Sequence, residues 1–162
     1  MGQIFDATVN FFKERQWPFI QLGDRTILHM MFEGTNGSWE CYADAREDQH
    51  RLLFYSLAPI MVPEARRQAM AEFITRANYG MMIGNFEMDF DDGEVRYKTS
   101  IDVDGEQLSS GLIFQLVSAN VFTMDKYLPG IRAVVDQDVP PIQAVQSVEA
   151  PSPQGDAGGT AS

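Results

Sequence analysis

One segment constrains this chain more than any other. Gly84 to Ile101 alternates large apolar and charged residues on either side of Asp92-Gly93. A type I′ turn needs positive φ at both central positions, and Asp-Gly supplies that at little steric cost. Closing the hairpin there sets Phe90 opposite Val95, Met88 opposite Tyr97 and Phe86 opposite Thr99 on one face. On the other face Asp89 meets Arg96 and Glu87 meets Lys98. Each exposed pair contributes only about 0.2–1 kcal/mol. The two patterns nevertheless agree on one register, so the chain must contain an antiparallel sheet with one face buried.

A second hairpin precedes it. Arg25 to Phe32 reads as a strand, Gly34-Thr35-Asn36-Gly37 as its turn, and Ser38 to Arg46 as the partner. A four-residue loop sets Glu33 opposite Ser38. Phe32 then faces Trp39, Met30 faces Cys41, and Leu28 faces Ala43, all on the core side. Ile27, His29, Met31, Glu40, Tyr42 and Asp44 occupy the other side. His50 to Leu57 is a third strand after a charged turn around Glu47-Asp48. It is apolar on both faces, with Leu53, Tyr55 and Leu57 on one and Leu52 and Phe54 on the other. Such a strand is covered on both sides or lies at an interface.

Helical spacing places Phe5, Thr8, Val9 and Phe12 on one stripe of a helix from Gln3 to Arg15, which Trp17-Pro18 ends. Pro63 opens a second helix with Met70, Phe73, Ile74 and Ala77 inward, and Gly80 suits its C-terminus. Ser109 or Ser110 caps a long last helix. Its inward stripe is Ile113, Leu116, Val117, Asn120, Met124, Leu128 and Ile131, and Pro129 is expected to kink it or end its regular part. Asn120 on that stripe reads as a core amide bonded to nearby backbone. The order is α-βββ-α-ββ-α. Strands in runs with segregated helices indicate the α+β class, an antiparallel sheet packed on helices.

Residues 1–136 are expected to form the domain. Residues 137–162, rich in Pro, Gly, Ala and Ser, are acidic and lack aromatic and basic groups, so they are expected to be a disordered tail. The whole chain carries a net −11, from 12 basic and 23 acidic residues. That charge repels phosphate backbones and anionic lipids, so neither nucleic acid nor a membrane is the expected partner. The N-terminus does not read as a signal peptide and no apolar run suits a bilayer span, which makes the cytoplasm the expected location.

The acidic stretch Glu87 to Glu106 fits no EF-hand loop. With Gly105 at the sixth position, Ser100, Asp102 and Asp104 fall at the first, third and fifth, but Gly111 stands where the bidentate glutamate belongs. Cys41 lies on the core side and His29 on the other, so they do not form a thiol–imidazole pair. The histidines lack zinc spacing, and no phosphate-binding or nucleophile-elbow motif occurs. Asn36-Gly37-Ser38 matches a glycosylation acceptor and reads more simply as a turn. No catalytic residue, metal site or cofactor is expected. Met81-Met82-Ile83 stands out as a candidate exposed patch.

The second half of the chain resembles the YbjN domain family, described as bacterial sensory transduction regulators. The residues that carry the resemblance are Val62-Pro63, Arg67 and Asn78, then Gly84-Asn85-Phe86-Glu87. Asp92-Gly93-Glu94-Val95-Arg96-Tyr97-Lys98-Thr99 follow, and finally Asp125, Tyr127, Leu128 and Pro129. The match runs over roughly residues 5–135 in element order and is most specific from Pro63 onward. It implies a fold like that of type III secretion chaperones, which are small, acidic, usually dimeric, and bind extended segments of partner proteins. It implies no catalytic residues.

The expected function is therefore a non-catalytic protein-binding module, chaperone-like or regulatory. It is expected to form a homodimer and to take an extended segment of a partner protein. Ile27, Met31, Tyr42, Leu52 and Phe54 are the candidate binding residues. The alternative is a small-molecule sensor, or an enzyme of unrecognised type, built on Tyr42, His29 and Asp44 in a pocket on the sheet.

Overall fold

The computed structural model describes residues 2–151. The elements run α1 (Gln3–Glu14), β1 (Ile20–Gln21), β2 (Ile27–Glu33), β3 (Ser38–Arg46), β4 (Arg51–Leu57), α2 (Arg67–Asn78), β5 (Asn85–Met88), β6 (Val95–Asp102), α3 (Ser110–Asp136) and α4 (Pro141–Glu149). The strands form one antiparallel sheet in the order β1-β2-β3-β4-β6-β5. The expected α+β class is the observed one, with β1 and α4 added to the expected order.

The first hairpin has the expected register, Phe32 opposite Trp39, Met30 opposite Cys41 and Leu28 opposite Ala43. Asp125 on α3 fastens its loop. Its carboxylate accepts from the amides of Thr35 and Asn36 at 3.1 and 2.8 Å, and its carbonyl accepts from Asn36 Nδ2 at 2.8 Å.

The second hairpin differs by two residues. Phe86 pairs with Tyr97 and Met88 with Val95, so Phe90 leaves the ladder for a wider loop. Two forces hold that loop open. Asp89 and Asp92 side chains accept from the amides of Asp91 and Glu94 at 2.8 and 2.9 Å. From outside, Arg67 donates to the carbonyls of Phe90 and Val62, while the Val62 amide donates to the Gly93 carbonyl. A two-residue turn would forgo these tertiary bonds. Because the shift is even, every side chain still in the ladder keeps its expected face, whereas Phe90 leaves the core side and is 49% exposed. Gly93 has φ +82, and a Cβ there would stand 2.1 Å from the Val62 carbonyl oxygen, so the position admits only glycine.

Helices α1, α2 and α3 pack on one face of the sheet, and α4 packs on α2 and α3. Phe11 and Phe12 of α1 are buried, and the Phe12 ring stacks on Phe54 at 6.3 Å. Ser109 caps α3, accepting from the Leu112 amide at 3.1 Å. The helix runs unbroken through Pro129 to Asp136, where a kink or an end to its regular part was expected. Asn120 is fully buried and bridges two strands. Its Nδ2 donates to the carbonyls of Phe54 and Tyr97 at 2.9 and 3.0 Å and to Thr99 Oγ1 at 3.2 Å.

The domain is also longer than expected. Residues 141–149 form a helix, not a disordered segment, with Ala144 and Val145 buried. Pro141 sits in its first turn, where a proline costs no hydrogen bond. Gly130 lets Phe73 and Val148 approach α3 closely, and Tyr127 donates to Glu149 at 2.7 Å. A stretch read as Pro- and Ala-rich thus carries one apolar stripe that the α2–α3 groove buries. Residues 152–162 of the expected tail lie outside the described residues.

Candidate functional site: the open face of the sheet

Among the described residues, nothing covers the other face. The ladder aligns its side chains in rows across the strands. One row is Ile20, His29, Tyr42, Tyr55, Lys98 and Asn85. A neighbouring row holds Met31 and Glu40 on β2 and β3, Leu57 and Arg96 on β4 and β6, and Glu87 on β5. Ile27, Asp44, Leu53 and Ser100 form a third.

The charges on this face are largely paired within it. His29 Nε2 lies 3.2 Å from Glu40, Arg46 bonds Asp44 at 2.9 Å, and Glu87 holds both Arg96 and Lys98, at 3.1 and 3.3 Å. The Arg96 guanidinium also covers the Tyr55 ring at 4.4 Å. The Tyr42 phenol is pushed above its ordinary pKa, first by burial and then by the negative charges of Glu40 and Glu94. What remains between the pairs is apolar. Met31 is 54% exposed and Ile20 61%, while Ile27, Tyr42, Leu53 and Leu57 are half-buried.

Of the five candidate binding residues, the structure brings Ile27, Met31 and Tyr42 together on this face. Leu52 and Phe54 belong elsewhere. They are 1% and 0% exposed and lie in the core under α1 and α3. Ala43 pairs with Phe54 and Ala45 with Leu52, which fixes both on the helix side. The residues that join the open face instead are Leu53, Tyr55 and Leu57. Sequence alternation missed them because β4 is apolar on both sides, so only pairing to β3 distinguishes its faces.

Tyr42, His29 and Asp44 do lie near one another, with the His29 and Tyr42 rings 5.0 Å apart. His29 and Asp44 are each engaged by a charged neighbour, and the three residues do not line one cavity. Cys41 is buried beneath the sheet, 3.5 Å from Ser56 Oγ, and burial pushes its thiol up to about 12. Among the described residues no three metal-ligating side chains come together, and no helix is long and apolar enough to cross a membrane.

A six-stranded antiparallel sheet with helices on one side, and a second face that no described element covers, is the α+β fold expected above, like that of type III secretion chaperones. The chain is similar to YbjN from E. coli, described as "a putative transcription regulator", at 12% identity over 82% of this chain and 90% of that one, with a TM-score of 0.57. It is also similar to a chain of the ExsC–ExsE complex (12% identity, 77% and 90% covered, TM-score 0.55). A third likeness is to a chain of the HopA1–SchA chaperone–effector complex (16%, 78% and 94%, TM-score 0.52). At these identities the likeness establishes the fold. The family model named YbjN, "Putative bacterial sensory transduction regulator", matches residues 9–133, and the chain belongs to that family. No curated protein sequence matches it.

Proposed function

We propose that this chain is a non-catalytic protein-binding module, chaperone-like or regulatory, working in the cytoplasm. Its open sheet face receives an extended segment of a partner protein. The observation that carries the reading is that face itself. It is broad, it carries apolar side chains between ion pairs, and most of its charges already have partners. Covering it would remove apolar area from water and leave few lone charges buried, which is what a binding surface requires. Two of the structures it resembles are complexes, ExsC–ExsE and the HopA1–SchA chaperone–effector complex, which is in keeping with that use.

A homodimer fits the same module. Leu112, Phe114 and Phe122 are exposed on α3, in the helical layer away from the open face, and offer a second copy a separate contact. Sedimentation velocity tests this: a dimer that Phe122→Glu dissociates is expected, and a strict monomer would count against it.

The test of the main reading is capture in the protein's own cells. A photo-crosslinker replaces Met31 on the open face or Gln115 on α3. A partner caught from position 31 and not from 115 is expected. Equal yields from both positions, or none from either, would remove the support for it.

A further inference from the structure

Three depressions cross the loop end of the open face, the first two mainly apolar and the third mainly charged around Met88 and Phe90, and each shares a residue with the next. The first, of about 290 Å³, is lined by Pro18, Phe19, Ile20, His29 and Met31. The second, about 340 Å³, runs from Met31 past Leu57 and Ile60 to Met61 and Glu94. The third, also about 340 Å³, runs from Glu94 and Arg96 to Met88 and Phe90. Ile20, Met31, Met61 and Phe90 are among the most exposed large apolar side chains of the molecule, from 49% to 61%, and one or two stand in each depression. The groove they make spans all six strands. Five strand spacings of about 4.8 Å give roughly 24 Å, the length of about seven extended residues.

The sheet edges do not compete for such a segment. At the β5 edge the Asn78 side chain takes both outward backbone groups of Phe86, accepting from its amide at 2.7 Å and donating to its carbonyl at 3.1 Å. At the other edge β1 is two residues long, and Trp17 Nε1 fills the Met31 carbonyl at 2.8 Å. Neither edge offers a row of free groups for strand addition. A segment must bind through side chains, across the strands.

Charge selects its chemistry. Among the described residues Glu94 has no ion-pair partner and stands where the second and third depressions meet, with Asp89 lining the third. The chain as a whole carries −11, which disfavours a second copy in this groove.

We propose that the groove from Ile20 to Phe90 takes an extended segment of another protein, apolar at alternate positions and carrying a lysine or arginine opposite Glu94. This rests on the protein-binding reading above and adds the path and the charge of the partner. Methionine suits such a groove, because its flexible side chain adapts to varied apolar partners.

The test uses the full chain and two labelled ten-residue peptides. One alternates leucine and serine and bears two lysines, and its twin has glutamates in their place. Fluorescence anisotropy should show the lysine peptide binding more tightly, by about fivefold, as expected for rim charges. Met31→Asp or Met61→Asp should weaken it about tenfold or more, as for a buried apolar anchor. Glu94→Lys should reverse the preference between the twins. All three side chains are wholly or partly exposed, and an unchanged thermal melt confirms that the variants fold. Binding indifferent to Met31 and Met61, a preference unmoved by Glu94→Lys, no binding of either peptide, or a second copy crosslinked in the groove would overturn the proposal. If capture from position 31 still succeeds in that case, the protein-binding reading survives and only the groove assignment fails.

Discussion

Replacing Asn120 by aspartate would put a carboxylate where two strand carbonyls now receive amide protons. Asn120 is fully buried, and its Nδ2 bonds join β4 to β6 beneath α3. Its Oδ1 is buried with no partner. Leucine at this position would lose two amide protons, shared among three acceptors and worth about 1 kcal/mol each, but would also remove an orphan acceptor that costs about 1–3 kcal/mol. Asn120→Leu should therefore lie within about 1.5 kcal/mol of the native protein. Aspartate has no such escape. Facing carbonyl oxygens in the core, it keeps its proton in the folded state, whereas the unfolded chain releases it near pH 3.9. The folded pKa is raised, so the folded state binds the extra proton and stability falls as pH rises above about 4, by about 1.36 kcal/mol per unit. The penalty is about 4 kcal/mol at pH 7 and about 1.5 kcal/mol at pH 5. Urea unfolding with an m-value of about 2 kcal/mol/M converts these to midpoint losses of about 2 M and 0.7 M. The leucine variant, measured at both pH values, cancels the titration of the rest of the chain. A gap between the two variants that stays constant from pH 5 to pH 7 would refute the reasoning.

Four further outcomes follow from the same geometry. Gly93→Ala forces a left-handed backbone onto alanine and a Cβ into the Val62 carbonyl, so a loss of about 2–3 kcal/mol is expected in chemical denaturation. Asp125→Ala frees the Thr35–Asn36 turn, costing about 1–2 kcal/mol and speeding hydrogen exchange at those two amides. Asn78→Ala uncovers the Phe86 backbone at the β5 edge; light scattering should show species larger than those of the native protein at the same concentration. The Cys41 thiol, with its pKa pushed to about 12, should react with a disulfide reagent at pH 8 only after denaturant is added.

The motif residues that marked the family each acquire a mechanical role. Arg67 ties the 90–93 loop to the start of α2, and Asn78 closes the edge of β5. Gly84 has φ +77 and lies so near the Lys98 carbonyl that a Cβ would come within 2.5 Å of it. Asp125 locks one hairpin loop to α3. All four serve the fold, and none reaches into the open face. Other motif residues, Asn85, Glu87, Glu94, Arg96 and Lys98, do lie on that face, which is open because no described helix covers it.

What the amino-acid order decided by itself was local. Periodicity and turn chemistry set the first three helices, the presence of both hairpins and the face of each residue that stays in their ladders, because side-chain direction alternates strictly along a strand. The first hairpin register was legible to the residue. Three things were not. The Asp92-Gly93 turn opened to a wider loop because Arg67 and Val62, distant in sequence, offered it hydrogen bonds. The segment after Asp138 became α4 because a groove between α2 and α3 was there to bury Ala144 and Val145. Leu52 and Phe54 went to the core and Leu53, Tyr55 and Leu57 to the open face because β3 paired with β4 in one register of two that the apolar pattern allowed. In each case the deciding energy came from contacts between segments far apart in the chain, which no local pattern records.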